Sequence, residues 1–128
     1  MGELDGKVAI VTGAGRLRSI GYSTSMALAD LGCDVVVTGT GRDPSTFPMD
    51  EKEIGWKDIE STAERVRGKG RRALALVVNV TSVDDTEMMM QRTLEEFGRV
   101  DILINNAAAA IGQDRVQIVD LDPDVFQK

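Results

Sequence analysis

The stretch Lys7-Val8-Ala9-Ile10-Val11-Thr12-Gly13-Ala14-Gly15-Arg16-Leu17-Arg18-Ser19-Ile20-Gly21 decides how this chain is read. Val8 to Val11 is an unbroken apolar run, the pattern of a parallel strand covered on both faces. Gly13 and Gly15 follow at once, and without a Cβ they permit a tight turn and a close approach to a ligand. An amphipathic helix is then expected from about Ile20. Its unpaired backbone N–H groups and positive dipole end would face a phosphate held in the turn. The pattern G-x-G-x-x-G is not met, because Arg18 stands where its third glycine belongs, and no Gly-Lys-Ser/Thr follows for a P-loop. The order of strand, turn and helix therefore carries the reading.

Outward from this turn, strands and helices alternate. The first strand is expected over residues 7–12. The helix after it has Ile20, Ala27, Leu28 and Leu31 at helical spacing, and Gly32 is placed to stop it. Residues 34–38, with three consecutive valines, read as a second strand. A second helix is predicted over 58–69, burying Ile59, Ala63 and Val66. Residues 72–80 form a third strand, and Ser82 with Asp85 resembles the cap of a helix whose buried stripe is Met90, Leu94 and Phe97. A fourth strand is expected over 100–105, and Asp122-Pro123 has the form of a helix start. Repeated strand–helix units with doubly buried strands imply an α/β fold, a Rossmann-type doubly wound parallel sheet ordered 3-2-1-4. In that order the fourth strand would show an unpaired apolar edge unless a fifth follows, so the chain is expected to hold strands 1–4 of a larger sheet. On that reading residues 1–128 are the N-terminal dinucleotide-binding portion of one domain, truncated at the start of the fourth helix.

One connection breaks the rhythm. Residues 39–57 exceed the roughly 12–15 residues usual for an irregular loop in a compact domain, and they carry Pro44, Pro48 and Trp56. They read either as a loop near the adenosine half of a cofactor or a subunit contact, or as a variable surface insertion in which Trp56 pins the next helix. The second reading is the one adopted. Met88, Met89 and Met90 read as one core residue with surface neighbours rather than as a binding box.

Bulk properties exclude several classes. The 128 residues suffice for a domain with a core, and a net charge of −6 argues against nucleic acid or an anionic membrane surface as partner. With no histidine and one cysteine, Cys33, a metal site of the zinc type is not expected, nor an activated thiol nucleophile. No apolar stretch is long enough to span a bilayer and no signal-peptide h-region precedes Asp5, so a cytoplasmic protein is expected.

Four features together resemble the short-chain dehydrogenase/reductase family. They are the Thr12-Gly13 turn, the Asn79-Val80 pair ending strand three, the segment Asp101-x-Leu103-x-Asn105-Asn106-Ala107, and the spacing between them. The resemblance covers the cofactor-binding part of such enzymes. It implies that Thr12 and Gly13 shape the turn, and that Ser19, Ile20 and Gly21 form its helix-side wall against a pyrophosphate. Asn79 and Val80 would lie beside the adenine, where the family usually has Asp-Val. Asn105, Asn106 and Ala107 would end strand four at the ribose. Ala108 belongs with them, although a glycine is usual there. The displaced glycine, in Gly13-x5-Ser19-Ile20-Gly21, is similar to the divergent branch that includes enoyl-carrier-protein reductases.

The implied activity is NAD(P)-dependent hydride transfer between nicotinamide and a carbonyl or alcohol substrate, by a homo-oligomer. The alternative is a non-catalytic dinucleotide-binding module or sensor. An NAD-selective site places a carboxylate at the end of strand two. Here that stretch is Thr38-Gly39-Thr40-Gly41-Arg42, where Thr40 belongs with the expected cofactor contacts. Arg16, Arg18 and Arg42 are cations that could meet a 2′-phosphate, so NADP is expected over NAD. The family's catalytic tyrosine is followed four residues on by lysine, whereas Tyr22 is followed by Met26. Tyr22 is expected only to pack at the helix start. No catalytic residue is named, since those groups are expected beyond Lys128, and the chain alone is expected to be inactive.

Overall fold

Val8, Ala9, Ile10 and Val11 are at most 1% exposed, because the strand they form is paired on both edges and covered on both faces. The structure, a computed structural model, describes residues 2–106. Strands β1 (Val8–Val11), β2 (Asp34–Gly39), β3 (Ala73–Val77) and β4 (Ile102–Ile104) make one parallel sheet in the order β3-β2-β1-β4. Ile10 lies opposite Val36 on one side and Leu103 on the other. The expected strand order and Rossmann-type class are therefore found. The ends of the third and fourth strands are trimmed, and Ala107, Ala108 and the helix expected at Asp122-Pro123 lie outside the described residues.

Strand alternation divides the core in two. Ala9, Val11, Val35 and Val37 point to one face, where they meet Leu28 and Ala29 of α1 (Ile20–Asp30) and Ile59, Ala63 and Val66 of α3 (Ile59–Gly68). Ile10, Val36, Leu76 and Val78 point to the other, against Met89 of α4 (Val83–Phe97). Cys33 is buried in the first cluster, and burial raises its thiol pKa, which fits packing rather than reactivity.

Two helices bury a different stripe from the one expected. In α1 the buried residues are Gly21, Ser25, Leu28 and Ala29, while Ile20 is 75% exposed and Leu31 stands at the surface. The helix approaches the sheet closely through small residues, and Ser25 satisfies its hydroxyl on the Gly21 carbonyl at 2.8 Å. In α4 the stripe is Met89 and Thr93, with Phe97 half-buried, whereas Met90 and Leu94 are exposed. Thr93 donates to the Met89 carbonyl at 2.7 Å, which makes it acceptable inside. Counting threonine as polar shifts the apparent phase by one residue.

The connection after β2 is also not a plain loop. It holds a 3₁₀ turn (Pro44–Thr46) and a short helix α2 (Met49–Glu53), and Phe47, Glu51 and Trp56 are buried.

Asp101 joins the start of β1 to β4. Its carboxylate accepts from Arg99 at 2.7 Å and from the Val8 N–H at 2.9 Å, and these bonds hold its pKa below the ordinary value. A depressed folded-state pKa gives stability that is complete above the unfolded value, about 3.9, and is lost as pH falls through the folded one. Asp101→Asn should therefore lower the melting temperature at neutral pH and leave the two proteins more alike in acid. A constant difference across that range would contradict this role.

Candidate functional site

In a parallel sheet the residues that follow each strand share one edge, so the segments after β1, β2, β3 and β4 converge there. Thr12 opens the turn. Its N–H donates to the Ile104 carbonyl at 3.1 Å, and its Oγ1 accepts the Asn106 N–H at 3.0 Å. Gly13 follows at φ +67°, a conformation that favours glycine. Its carbonyl accepts the Asn106 side-chain amide at 3.2 Å. Gly21, in the first turn of α1, is pressed against this joint. A Cβ there would strike the Gly13 carbonyl and come within 2.8 Å of Asn106 Nδ2. Ser19 caps α1, accepting the Tyr22 N–H at 3.1 Å and donating to the Arg16 carbonyl at 2.7 Å. The first N–H groups of α1, at Ile20 and Gly21, have no partner within the helix and stand at its positive end.

The outer half of the turn is held from the other side. Thr62 Oγ1 donates to the Ala14 carbonyl at 2.7 Å, and Trp56 Nε1 donates to the Gly15 carbonyl at 2.7 Å. Arg42 Nη2 reaches the same Gly15 oxygen at 3.3 Å. The Leu17 N–H donates to Glu51 Oε2 at 2.8 Å. Tyr22 stands edge-on to Trp56, ring centres 5.8 Å apart, and its hydroxyl accepts from Arg65 at 2.7 Å. This packing agrees with the role expected for Tyr22.

Of the residues expected at the site, Thr12, Gly13, Ser19, Ile20, Gly21 and Asn106 belong to one joint, and exposed Asn105 adjoins it at the end of β4. Thr40, exposed beyond β2, and Asn79 and Val80, exposed beyond β3, belong to the same edge. Asn79 Oδ1 is already occupied by the Thr81 N–H at 3.0 Å and hydroxyl at 2.6 Å. Gly15 does not take up a left-handed conformation. Its bare α-carbon gives room to the Asp58 carboxylate, not to a ligand.

The three arginines fare differently. Arg42 is not a free cation: its side chain is 14% exposed, pairs with Glu51 at 3.0 Å and Asp58 at 2.8 Å, and lies over the Phe47 ring. Arg18 pairs with Asp50 at 2.8 Å. Arg16 is exposed and has no ion pair among the described residues. With Arg18, Pro48, Asp50 and Glu51 it lines an open cleft of about 310 Å³.

The adopted reading of residues 39–57 as a surface insertion is thus corrected. Its side chains grip the turn through two buried hydrogen-bonding groups, Glu51 and Trp56. Sequence reasoning missed Glu51, Asp58 and Thr62. Asp50-Glu51-Lys52-Glu53 reads as a solvated charge run, and only the lone tryptophan hinted that the segment is packed.

A cradle of backbone N–H groups at a capped helix, one residue from a Cβ-forbidden joint, suits the diphosphate of a dinucleotide. No group of three or more acidic, cysteine or histidine side chains among the described residues suits a metal. Fold and topology together define an α/β protein of Rossmann type. The sequence profile of the short chain dehydrogenase family matches residues 7–128, and the chain belongs to that family.

Among its relatives is a 12alpha-hydroxysteroid dehydrogenase of a Clostridium species, 39% identical over 86% of this chain and 39% of that protein. Another is the 2-dehydro-3-deoxy-D-gluconate 5-dehydrogenase of Escherichia coli, 31% identical over 95% of this chain and 41% of its own length. A short chain dehydrogenase from Mycobacterium avium matches in structure with a TM-score of 0.75 at 32% identity, over 98% of this chain and 40% of the other. Carveol dehydrogenase from the same organism, solved in complex with NAD, matches at 0.72 and 26% identity, over 99% of this chain and 44% of the other. The chain thus spans about two fifths of the length of these relatives.

Gly21→Ala should cost about 1–3 kcal/mol in denaturant unfolding, since neither the Gly13 carbonyl nor Ala14 can retreat without moving β1. An unchanged midpoint would show that the joint is looser than its contacts.

Proposed function

We propose that this chain supplies the cofactor-binding half of an NAD(P)-dependent oxidoreductase acting on a carbonyl or alcohol carbon. The observation that carries the reading is the turn of residues 12–21, where a Cβ-free joint sets a capped helix N-terminus at the carboxyl edge of the sheet. A bound nicotinamide dinucleotide supplies the hydride chemistry. The chain's own residues bind and orient. The Ile20 and Gly21 N–H groups receive the diphosphate, with Thr12, Gly13 and Ser19 fixing their direction. Asn105, Asn106, Ala107 and Ala108 serve the nicotinamide-side ribose. Val80 flanks the adenine, and the Asn79 amide nitrogen is the half of that side chain not held by Thr81.

Thr40 and Arg16 address the adenosine ribose. With Arg42 withdrawn into ion pairs, Arg16 is the cation that supports a preference for NADP over NAD. Relatives named as dehydrogenases of a hydroxysteroid and of 2-dehydro-3-deoxy-D-gluconate support a small alcohol or carbonyl substrate. A homo-oligomer and a cytosolic location complete the reading. They rest on family membership and on the acidic composition. The catalytic acid belongs to the remainder of such enzymes, because Tyr22, the one tyrosine here, is committed to Trp56 and Arg65.

Calorimetric titration of the full-length protein with NADP and NAD tests this. Both should bind, NADP more tightly, and Arg16→Ala should weaken NADP about tenfold relative to NAD through loss of one phosphate contact. Binding without turnover on any alcohol or carbonyl would favour the non-catalytic module. No binding of either dinucleotide would overturn the proposal.

A further inference from the structure

We infer that residues 42–58 form a strap that, with Thr62, aims two further amides of the turn, those of Gly15 and Arg16, at the diphosphate, with Glu51 as its positioning residue. The inference rests on the dinucleotide-binding reading above. It adds a determinant outside the glycine turn, in a segment with no glycine-motif signature.

Glu51 is 2% exposed although α2, which carries it, is otherwise a solvated charge run. Its two oxygens do separate work. Oε2 accepts the Leu17 N–H at 2.8 Å, and Oε1 accepts from Arg42 Nη2 at 3.0 Å. Arg42 in turn donates through Nε to Asp58 at 2.9 Å and through Nη2 to the Gly15 carbonyl at 3.3 Å. Asp58 occupies φ +57°, which non-glycine residues rarely adopt, and its side chain does not cap α3. That carboxylate serves Arg42 instead. Two buried anions and one cation are thus concentrated behind the turn, and a surface loop would have no reason to desolvate them.

The consequence for the turn follows from peptide geometry. In a planar trans peptide, the carbonyl and the next N–H point in opposite directions. No cis peptide is present among the described residues. The Ala14 carbonyl is drawn toward Thr62, so the Gly15 N–H points the other way. The Gly15 carbonyl is drawn toward Trp56 and Arg42, so the Arg16 N–H also points away from the strap. Glu51 meanwhile takes the Leu17 N–H out of contention. The strap and Thr62 together sort three consecutive donors, two turned outward for an anion and one turned inward. Glu51 acts through Leu17 and through Arg42, without touching the ligand.

The test uses the full-length protein, with NADP and NAD as titrants in calorimetry, beside steady-state kinetics and thermal unfolding. Glu51→Ala should raise the dinucleotide Kd about tenfold at a temperature where the variant is folded, while kcat at saturating dinucleotide stays within about twofold. Glu51→Gln, which keeps an acceptor for the Leu17 N–H, should recover most of the affinity. Arg42→Lys, which keeps the charge but loses the fork that spans Glu51, Asp58 and Gly15, should weaken binding about fivefold or more. Lys52→Ala, on the exposed face of α2, should change nothing. If Glu51→Ala does not fold, Arg42→Lys decides the matter. Affinity equal to wild type in folded Glu51→Ala, or in Arg42→Lys where Glu51→Ala does not fold, would overturn the strap while leaving the functional reading intact. A wild-type protein that binds neither dinucleotide would overturn both.

Discussion

The absence of a Cβ at Gly21 is the constraint on which the rest of the site depends. It lets the first turn of α1 rest on the Gly13 carbonyl and the Asn106 amide, atoms that belong to the ends of β1 and β4. Any larger residue would separate helix from sheet by the depth of a methyl group. The separation would break the reach of Asn106 back to Thr12 and Gly13, and with it the pairing of β4 at its carboxyl end. The small face of α1, with Ser25 and Ala29 one and two turns on, extends the same close approach along the helix. Steric clearance at one carbon therefore links the sheet order, the seat of the helix and the aim of its N-terminal N–H groups.

Electrostatics at this edge come from the backbone more than from side chains. A chain of net charge −6 is a poor partner for a polyanion, yet it can hold a diphosphate where a helix dipole and unpaired amides converge. The arginines that sequence suggests as a cationic rim are mostly spent on protein carboxylates. Arg18 faces Asp50, and Arg42 is enclosed by Glu51 and Asp58. Arg16 is left as the exposed cation on the turn that has no ion pair among the described residues.

The legible features were those written in short-range patterns. Continuous apolar runs at Val8–Val11 and Val35–Val37 mark doubly covered strands, and Gly32 marks the end of α1. Illegible features depended on long-range pairing. Glu51 looks like any residue of an acidic helix until Leu17 and Arg42, 34 and 9 residues away, are placed against it. Thr93 reads as polar, although its hydroxyl bonds within its own helix, so the buried stripe of α4 was set one residue off. Ile20 fits the apolar spacing of α1, but it occupies the first position of the helix and is 75% exposed. Arg42 reads from sequence as a free charge, but its partners Glu51 and Asp58 determine what that charge can do.

Backbone amide shifts of the full-length protein, followed by NMR as NADP is added, test the central claim most directly. The largest changes should fall on Gly13, Gly15, Arg16, Ile20 and Gly21, with Asn106 among them, and the Leu17 amide should move less because Glu51 holds it. Shifts confined to the amino edge of the sheet, or none at saturating dinucleotide, would contradict the account.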